Sequence, residues 1–253
     1  MKLHTRLLLS SIFAALLTIV STGNAADKHH GPAWTYEGAA SAEHWGDLDK
    51  SFATCKLGKE QSPIDIQAPE ASKLASLGFA YLNGDARLLN NGHTIQVNLS
   101  GAGGLIVNND QYQLLQFHFH TPSEERINGK SYPMVAHLVH KNGKGELAVV
   151  AVFFEEGAAH PALDDVFTRL PEKAGSQTAL VGGLNPRTLI PDDRAYYSFM
   201  GSLTIPPCSE GVRWQVMKQP LTLSKAQLNA FRKLYPMNAR PVQPLNGRKI
   251  MGS

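Results

Sequence analysis

A short alternation of polar and aromatic residues, Gln-Phe-His-Phe-His over Gln116–His120, strongly constrains how this chain folds. Side chains of a β-strand point alternately to opposite faces, so residues two apart share a face. His118 and His120 therefore lie together with Gln116, while the two phenylalanines pack behind them. The pattern predicts a strand with two imidazoles on one face.

A second strand-like run, Met134–His140, carries another histidine, His137. The connection between the two runs contains Asn128-Gly129, a strong hairpin turn signal. A hairpin places His137 beside the first pair, and three protein ligands with an open fourth position are typical of catalytic zinc. The alternative is that the histidines are simply hydrogen-bonded side chains.

Runs of β-type residues separated by Asn-Gly pairs dominate the chain, whereas helical signals are few. We predict a mainly β single domain (α/β mixed), with a large, twisted, mostly antiparallel central sheet and short peripheral helices. The predicted strands are Thr94–Leu99, Gly104–Val107, Gln113–His120, Met134–His140, Leu147–Phe154, Tyr196–Leu203 and Val212–Met217, and the predicted helices are Ala162–Leu170 after Pro161, and Lys225–Leu234 with Ser224 as N-cap.

The N-terminus has the three parts of a secretory signal peptide. Lys2 and Arg6 precede an apolar stretch from Leu7 to Val20, and small residues follow. We expect cleavage after Ala25, with Ala26 as the alternative, so that residues 1–25 are the signal and 26–253 the domain. A membrane anchor is the rival interpretation, but about 14 apolar residues are short for a span of roughly 20. The periplasm is the expected destination, with full secretion as the alternative.

Charge and cysteine content bear on possible nucleic-acid binding and on the state of the two cysteines. The formal charge of +3 includes Lys2 and Arg6, so the mature chain has 22 basic against 21 acidic residues. No basic stripe with interleaved aromatics indicates nucleic-acid binding. In an exported protein the pair Cys55 and Cys208 favours a disulfide over free thiols or zinc ligation. Such a bridge closes a loop of about 150 residues, worth at most about 5 kcal/mol in the chain-entropy model.

Several long motifs, in order, resemble the α-class carbonic anhydrases of bacterial, exported type. The resemblance extends from Trp34 to Arg248. The motifs are Glu43-His44-Trp45-Gly46, Gln61-Ser62-Pro63-Ile64-Asp65-Ile66, Asn90-Asn91-Gly92-His93-Thr94-Ile95, Gln116 through Glu124, His137-Leu138-Val139-His140, Gly201-Ser202-Leu203-Thr204, Pro206-Pro207-Cys208, Glu210-Gly211-Val212-Arg213-Trp214 and Arg240-Pro241-Val242-Gln243-Pro244.

The resemblance implies one Zn²⁺ per chain and reversible hydration of CO2 to bicarbonate and a proton, by attack of zinc-bound hydroxide. Cis bonds before Pro63 and Pro207 are implied as well, and a bridge between Cys55 and Cys208 would pin the loop after Thr204 to the N-terminal part of the chain. The site residues that it implies are the zinc ligands His118, His120 and His137; their supports Gln116 and the backbone carbonyl of Asn238; the gatekeeper pair Thr204 and Glu124; the proton shuttle His93; the apolar CO2 wall of Val139, Val149, Leu203 and Trp214; and the water-ordering residues Tyr36 and Gln96.

The chain departs from the family at two positions that contact each other in relatives. The family has Glu two residues before the third histidine ligand, where this chain has Val135, and His after the gatekeeper Glu, where it has Glu125. On a strand Glu124 and Glu125 face opposite sides, so Glu125 points where the family's histidine does. We expect its carboxylate to replace the acceptor missing at Val135; a water or an unsatisfied nitrogen is the rival. Ile205, beside Thr204, is another departure, and it narrows and dries the mouth of the site.

Two weaker functions remain as alternatives. One is a zinc-binding module with the same fold and weak or no catalysis, which the change at Val135 supports. The other is a weak zinc esterase. The expected partner is a small-molecule substrate, with no nucleic acid and no membrane after signal removal. Bacterial relatives often form dimers, but no dimer surface is legible in the sequence.

Overall fold

The structure is a computed structural model that describes residues 33–253. The predicted signal peptide, residues 1–25, lies outside the described residues and stays a prediction. Within the described part, no helix has the length and apolar character needed to cross a membrane.

Strands dominate the described residues, and the helices are short. The strands are β1 (Asp65–Ile66), β2 (Glu70–Ala71), β3 (Gly78–Tyr81), β4 (Gly84–Asn90), β5 (Ile95–Ser100), β6 (Gly103–Val107), β7 (Asp110–His120), β8 (Arg126–Ile127), β9 (Met134–Asn142), β10 (Leu147–Glu156), β11 (Gln177–Leu184), β12 (Tyr196–Ser202), β13 (Glu210–Met217), β14 (Leu221–Leu223) and β15 (Met251–Gly252). The α-helices are α1 (Trp45–Leu48), α2 (Thr54–Leu57), α3 (Asp164–Thr168) and α4 (Lys225–Arg232).

Thirteen strands form one sheet whose main path is β11-β4-β5-β7-β9-β10-β13-β12-β15-β2. Most neighbours are antiparallel, while β10 runs parallel to β13 and β14, and β15 to β2. The predicted fold class, a mainly β chain around a large, mostly antiparallel sheet, is confirmed.

Both faces of the central strands are covered, which explains their nearly continuous apolar sequences. Phe117 and Phe119 are fully buried in the larger core cluster. Phe231 of α4 packs on Phe119 with ring centroids 5.9 Å apart. The Ser224–Gln227 capping box begins this helix, as Ser224 predicts. The larger core thus packs behind β7, on the face opposite His118 and His120.

All seven predicted strands are present with bounds shifted by a few residues. Eight strands were missed, namely β1, β2, β3, β4, β8, β11, β14 and β15. Of these, β4 buries alternate residues and so carries a period-2 signal. The helix predicted at Ala162–Leu170 is instead a 3₁₀ turn, Pro161–Leu163, followed by the five-residue α3. The second predicted helix ends at Arg232 rather than Leu234.

The predicted pairing of β7 with β9 is confirmed, but their connection is more than a simple hairpin. Asn128 and Gly129 both have positive φ, 49° and 79°, as expected for a tight Asn-Gly turn. This turn follows β8, which pairs with β1 away from the main sheet. The excursion places residues 121–125 in an irregular segment after β7. The expectation that Glu124 and Glu125 continue the strand is therefore wrong.

Candidate metal centre

The three predicted histidines meet on one face of β7 and β9. His118 lies directly opposite His137 in the antiparallel register. The ring centroid of His120 is 5.0 Å from that of His118 and 4.8 Å from that of His137. One ligand nitrogen from each ring lies within 4.8 Å of the other two. The alternation of β7 and its pairing with β9 are sufficient to create this cluster.

The first two rings are each held at Nδ1. Gln116 Oε1 lies 2.8 Å from Nδ1 of His118, and the backbone oxygen of Asn238 lies 2.7 Å from Nδ1 of His120. Both partners are acceptors, so each Nδ1 carries the proton and donates it. The Nε2 atoms are consequently unprotonated and free to bind a metal.

The third ring is held the other way round, at Nε2. Glu125 Oε2 lies 3.0 Å from Nε2 of His137, with both side chains almost completely buried. Nδ1 of His137 is therefore the nitrogen left for a ligand. Among the described residues, Glu125 thus occupies the position that we expected, although from an irregular segment rather than a strand.

The cluster fits a zinc ion. Nε2 of His120 is buried without a hydrogen-bond partner, which is costly unless something binds it. Burial and the neighbouring His137 lower the pKa of His118 to about 3, and burial first of all puts the pKa of His120 well below its usual value. Both rings are neutral at physiological pH, as metal ligation requires. Three imidazole nitrogens are a typical donor set for catalytic zinc.

Two carboxylates flank the ring of His137. Glu124 Oε2 lies 3.8 Å from its Nδ1 and 3.5 Å from Nε2 of His120, while Glu125 lies at Nε2. Burial alone lowers the pKa of His137, but the charge and hydrogen bond of Glu125, with the charge of Glu124, outweigh it and raise that pKa. Electrostatics on this side of the cluster therefore favour a positive charge.

Glu124 is also linked to the predicted gatekeeper and to a buried arginine. Burial, with the charge of Glu125, raises the pKa of Glu124 to about 7. The charge of His137, the side chain of Thr204 and the backbone of Arg240 oppose this shift. The Arg240 backbone N–H donates to Glu124 Oε1 at 2.8 Å. Its guanidinium donates to the carbonyls of Ser62 and Cys55. The chain's Arg-Pro-Val-Gln-Pro motif contained Arg240, but this anchoring was missed.

Comparison with known proteins identifies the family. A family profile described as eukaryotic-type carbonic anhydrase matches residues 40–253. A carbonic anhydrase of Klebsiella pneumoniae is 48% identical over 221 residues, which cover 86% of this chain and 90% of that protein. The chain belongs to the α-carbonic anhydrase family.

Two further relatives agree with this assignment. A carbonic anhydrase of Pectobacterium atrosepticum is 41% identical over 239 residues, covering 94% of this chain and 97% of that protein. The solved α-carbonic anhydrase of Thermovibrio ammonificans, in complex with the inhibitor sulfanilamide, has a TM-score of 0.85 and 46% identity, and covers 87% of this chain and 99% of its own. The resemblance inferred from the motifs is confirmed, and it places the chain in a family of enzymes.

The apolar residues of the carbonic anhydrase pattern form a row beside the histidines. Val139 of β9 pairs with Val149 of β10, which pairs with Trp214 of β13. These three residues and the half-buried Leu203 belong to one apolar cluster, from which Ile205 is absent. The ring of Trp214 meets that of His137 edge to face, 4.9 Å between centroids. A dry wall therefore adjoins the third histidine.

The remaining predicted site residues lie near the cluster or on the loop beside it. Gln96 of β5 lies opposite His118 in the register. The ring of His93 stacks on Trp34 with centroids 3.6 Å apart and an angle of 7° between planes, and burial lowers its pKa. Burial, followed by the charge of Glu124, raises the pKa of Tyr36 well above its usual value, so this phenol stays neutral.

The disulfide between Cys55 and Cys208 is present and links residues 153 apart in sequence. It joins α2 to the loop that follows Thr204. The peptide bonds before Pro63 and Pro207 are cis, as the family resemblance implied, and a third cis bond precedes Pro122. The disulfide thus links two segments that are distant in sequence.

Proposed function

We propose that this protein catalyses the reversible hydration of CO2 to bicarbonate and a proton, using one zinc ion per chain. The convergence of three ring nitrogens, each with its opposite nitrogen tied to an acceptor, carries the proposal. His118 and His120 would bind through Nε2, and His137 through Nδ1. A zinc ion bound there would supply Lewis acidity, the chemistry that makes water a nucleophile at neutral pH.

Thr204 and Glu124 would orient the nucleophile. When Glu124 is ionised it can only accept hydrogen bonds, so the Thr204 hydroxyl must donate to it. The oxygen of Thr204 then has only lone pairs left, so it would accept a hydrogen bond from the nucleophilic water at the histidine cluster. The Arg240 N–H contact, at 2.8 Å, keeps the Glu124 carboxylate in place. A fixed acceptor of this kind needs no reorganisation when the reaction occurs.

The apolar row of Val139, Val149 and Trp214 would hold the substrate. CO2 has no net dipole and gains little from polar contacts, so a dry surface suits it. Bicarbonate is charged and gains more from water than from this wall. The edge-to-face contact of Trp214 with His137 puts the wall directly beside the metal ligands. Position and chemistry therefore both favour CO2 as the substrate.

His93 would carry the released proton towards solvent. Its ring lies at the surface end of the loop before β5 and is half-buried against Trp34. An imidazole changes protonation near neutral pH, which a proton relay requires. The N-terminal signal pattern supports export, with the periplasm as the proposed location.

Zinc content and CO2 hydration, measured together, test this function. Purified protein should contain one zinc per chain and hydrate CO2 in a stopped-flow assay. His118→Ala should lose zinc and CO2 hydration together. His160→Ala is the matched control, because His160 contacts the carbonyl of Thr188 away from the cluster. It should retain both properties.

The two alternative functions give different results in the same experiment. Full zinc occupancy with negligible CO2 hydration would refute the proposal and favour a zinc-binding module. Ester hydrolysis that exceeds CO2 hydration would instead favour the esterase. Loss of activity in His160→Ala as severe as in His118→Ala would show that the assay reports folding rather than the metal centre.

A further inference from the structure

The geometry points to Glu125 as a positioning residue: its buried carboxylate fixes the orientation and tautomer of His137 for metal binding. This inference rests on the proposed function, because it concerns how one ligand is held. The carboxylate oxygen Oε2 lies 3.0 Å from Nε2 of His137. Since Nε2 is occupied by this contact, Nδ1 is the nitrogen that His137 has left to offer to the histidine cluster. A proton held at Nε2 leaves Nδ1 unprotonated, so the contact selects the tautomer that a metal needs.

Val135 explains why the acceptor must come from elsewhere. Val135 and His137 are two apart on β9, so they share a face. Val135 is completely buried, and its side chain has no polar atom. Without Glu125, Nε2–H of His137 would be buried beside apolar atoms. Among residues 33–253, Glu125 is the side chain that accepts from it.

The backbone around Glu125 is held independently of His137. The Ser123 hydroxyl donates to the carbonyl of Glu125 at 2.8 Å and accepts from the N–H of Tyr132 at 2.9 Å. The N–H of Ser123 donates to the carbonyl of Tyr132. These contacts join the start of the β7–β9 connection to its end. They fix the backbone of Glu125, from which its carboxylate extends to His137.

The carboxylate of Glu125 makes one hydrogen bond among the described residues, and it is with the third histidine. Oε1 of Glu125 is buried without a hydrogen-bond partner. Adjacent Glu124 is also acidic and offers no compensation. Its other oxygen, Oε2, contacts Nε2 of His137. The one hydrogen bond that the Glu125 side chain makes among the described residues is therefore directed at the third histidine.

Zinc release, rather than activity, tests this role. We compare wild type with Glu125→Gln, which keeps an acceptor but removes the charge, and Glu125→Ala, which removes both. The zinc-loaded proteins are mixed with a chelator and the released zinc is followed by absorbance. We expect release about 10–100 times faster in Glu125→Ala, the usual effect of losing a ligand's outer partner, and a smaller increase in Glu125→Gln. Glu155→Gln, at an exposed ion pair with Lys130, is the matched control and should not change.

A rescue variant separates positioning from general stability. Glu125→His combined with Val135→Glu moves the carboxylate to the strand position on the same face as His137. If Glu125 positions this ring, the double variant should release zinc more slowly than Glu125→Ala. Melting of the metal-free proteins provides a second comparison. A merely structural role predicts lower melting temperatures with wild-type zinc release, and that result would overturn the inference.

Nuclear magnetic resonance of the wild type requires no variant. In zinc-loaded protein labelled with ¹⁵N, the His137 ring should show a protonated, slowly exchanging Nε2 and a metal-bound Nδ1. The opposite assignment would overturn the inference. If wild type binds zinc with this signature but does not hydrate CO2, the proposed function fails while the role of Glu125 stands. If wild type hydrates CO2 and both Glu125 variants release zinc at the wild-type rate, only the role of Glu125 fails.

Discussion

Removing the disulfide between Cys55 and Cys208 should destabilise the protein strongly. The bridge joins residues 153 apart. In the chain-entropy model a loop of this length contributes at most about 5 kcal/mol to the free energy of unfolding. For a domain of this size, 1 kcal/mol shifts the melting temperature by about 2–4 °C. The full effect therefore corresponds to a drop of roughly 10–20 °C.

Loss of the disulfide should also reduce turnover, because a short loop connects Cys208 to Thr204. Cys208 lies four residues after Thr204, and the loop between them is closed by hydrogen bonds from Leu203 N–H to Ser209 O and from Cys208 N–H to Ile205 O. Without the bridge, the loop keeps these contacts and the hydrogen bond from Gln61 Nε2 to the carbonyl of Cys208, but it loses its covalent link to α2. A misplacement of about 1 Å can cost up to about 100-fold in rate. We therefore expect turnover to fall as well as stability.

Thermal unfolding and CO2 hydration should be measured for wild type, for wild type with reductant, and for Cys55→Ala/Cys208→Ala. Reductant should lower the melting temperature and turnover of wild type towards the values of the double variant. It should leave the double variant unchanged, which controls for other effects of the reagent. Melting temperature and turnover unaffected by loss of the bridge would refute the reasoning.

Three further perturbations follow from buried or stacked side chains. Burial lowers the pKa of His140 to about 4, so its stabilising effect is complete above the unfolded pKa of about 6.5. As pH falls towards 4, the protein should lose about 3 kcal/mol of its free energy of unfolding. Urea unfolding should depend less on pH in Tyr81→Phe/His140→Leu, which removes both hydrogen-bonded partners, and an unchanged pH dependence would contradict this. Ser224→Ala removes the cap of α4 and should cost about 1 kcal/mol in urea unfolding, whereas Ser224→Asp should retain most of it; equal losses would argue against capping. Trp34→Ala should expose His93 and raise its pKa in a proton-resonance titration, since burial lowers that pKa; no shift would mean that Trp34 does not bury the ring.

Local sequence patterns determined the metal-binding face. Alternation in Gln116–His120 put two histidines on one side, and Asn128-Gly129 turned the chain so that His137 returned beside them. These features depend on strand geometry and turn conformation, which a few neighbouring residues specify. The same is true of the capping box at Ser224. Motif resemblance then extended the prediction to the apolar wall and the gatekeeper pair.

Gln116 holds His118 within one strand, but tertiary structure decided how His120 and His137 are held. The carbonyl that fixes His120 belongs to Asn238, 118 residues away, and the N–H that fixes Glu124 belongs to Arg240, 116 residues away. Every residue has a backbone carbonyl, so local sequence patterns cannot show which one will be used; for Asn238 the family resemblance alone pointed to it. Likewise the sequence suggested that Glu125 could replace the acceptor missing at Val135, but it wrongly placed Glu125 on a strand. The irregular segment after β7, shaped by contacts with β1 and Tyr132, brings the carboxylate to His137. Strand periodicity sets the direction of a side chain, whereas its partner across the fold is set by how distant segments pack together.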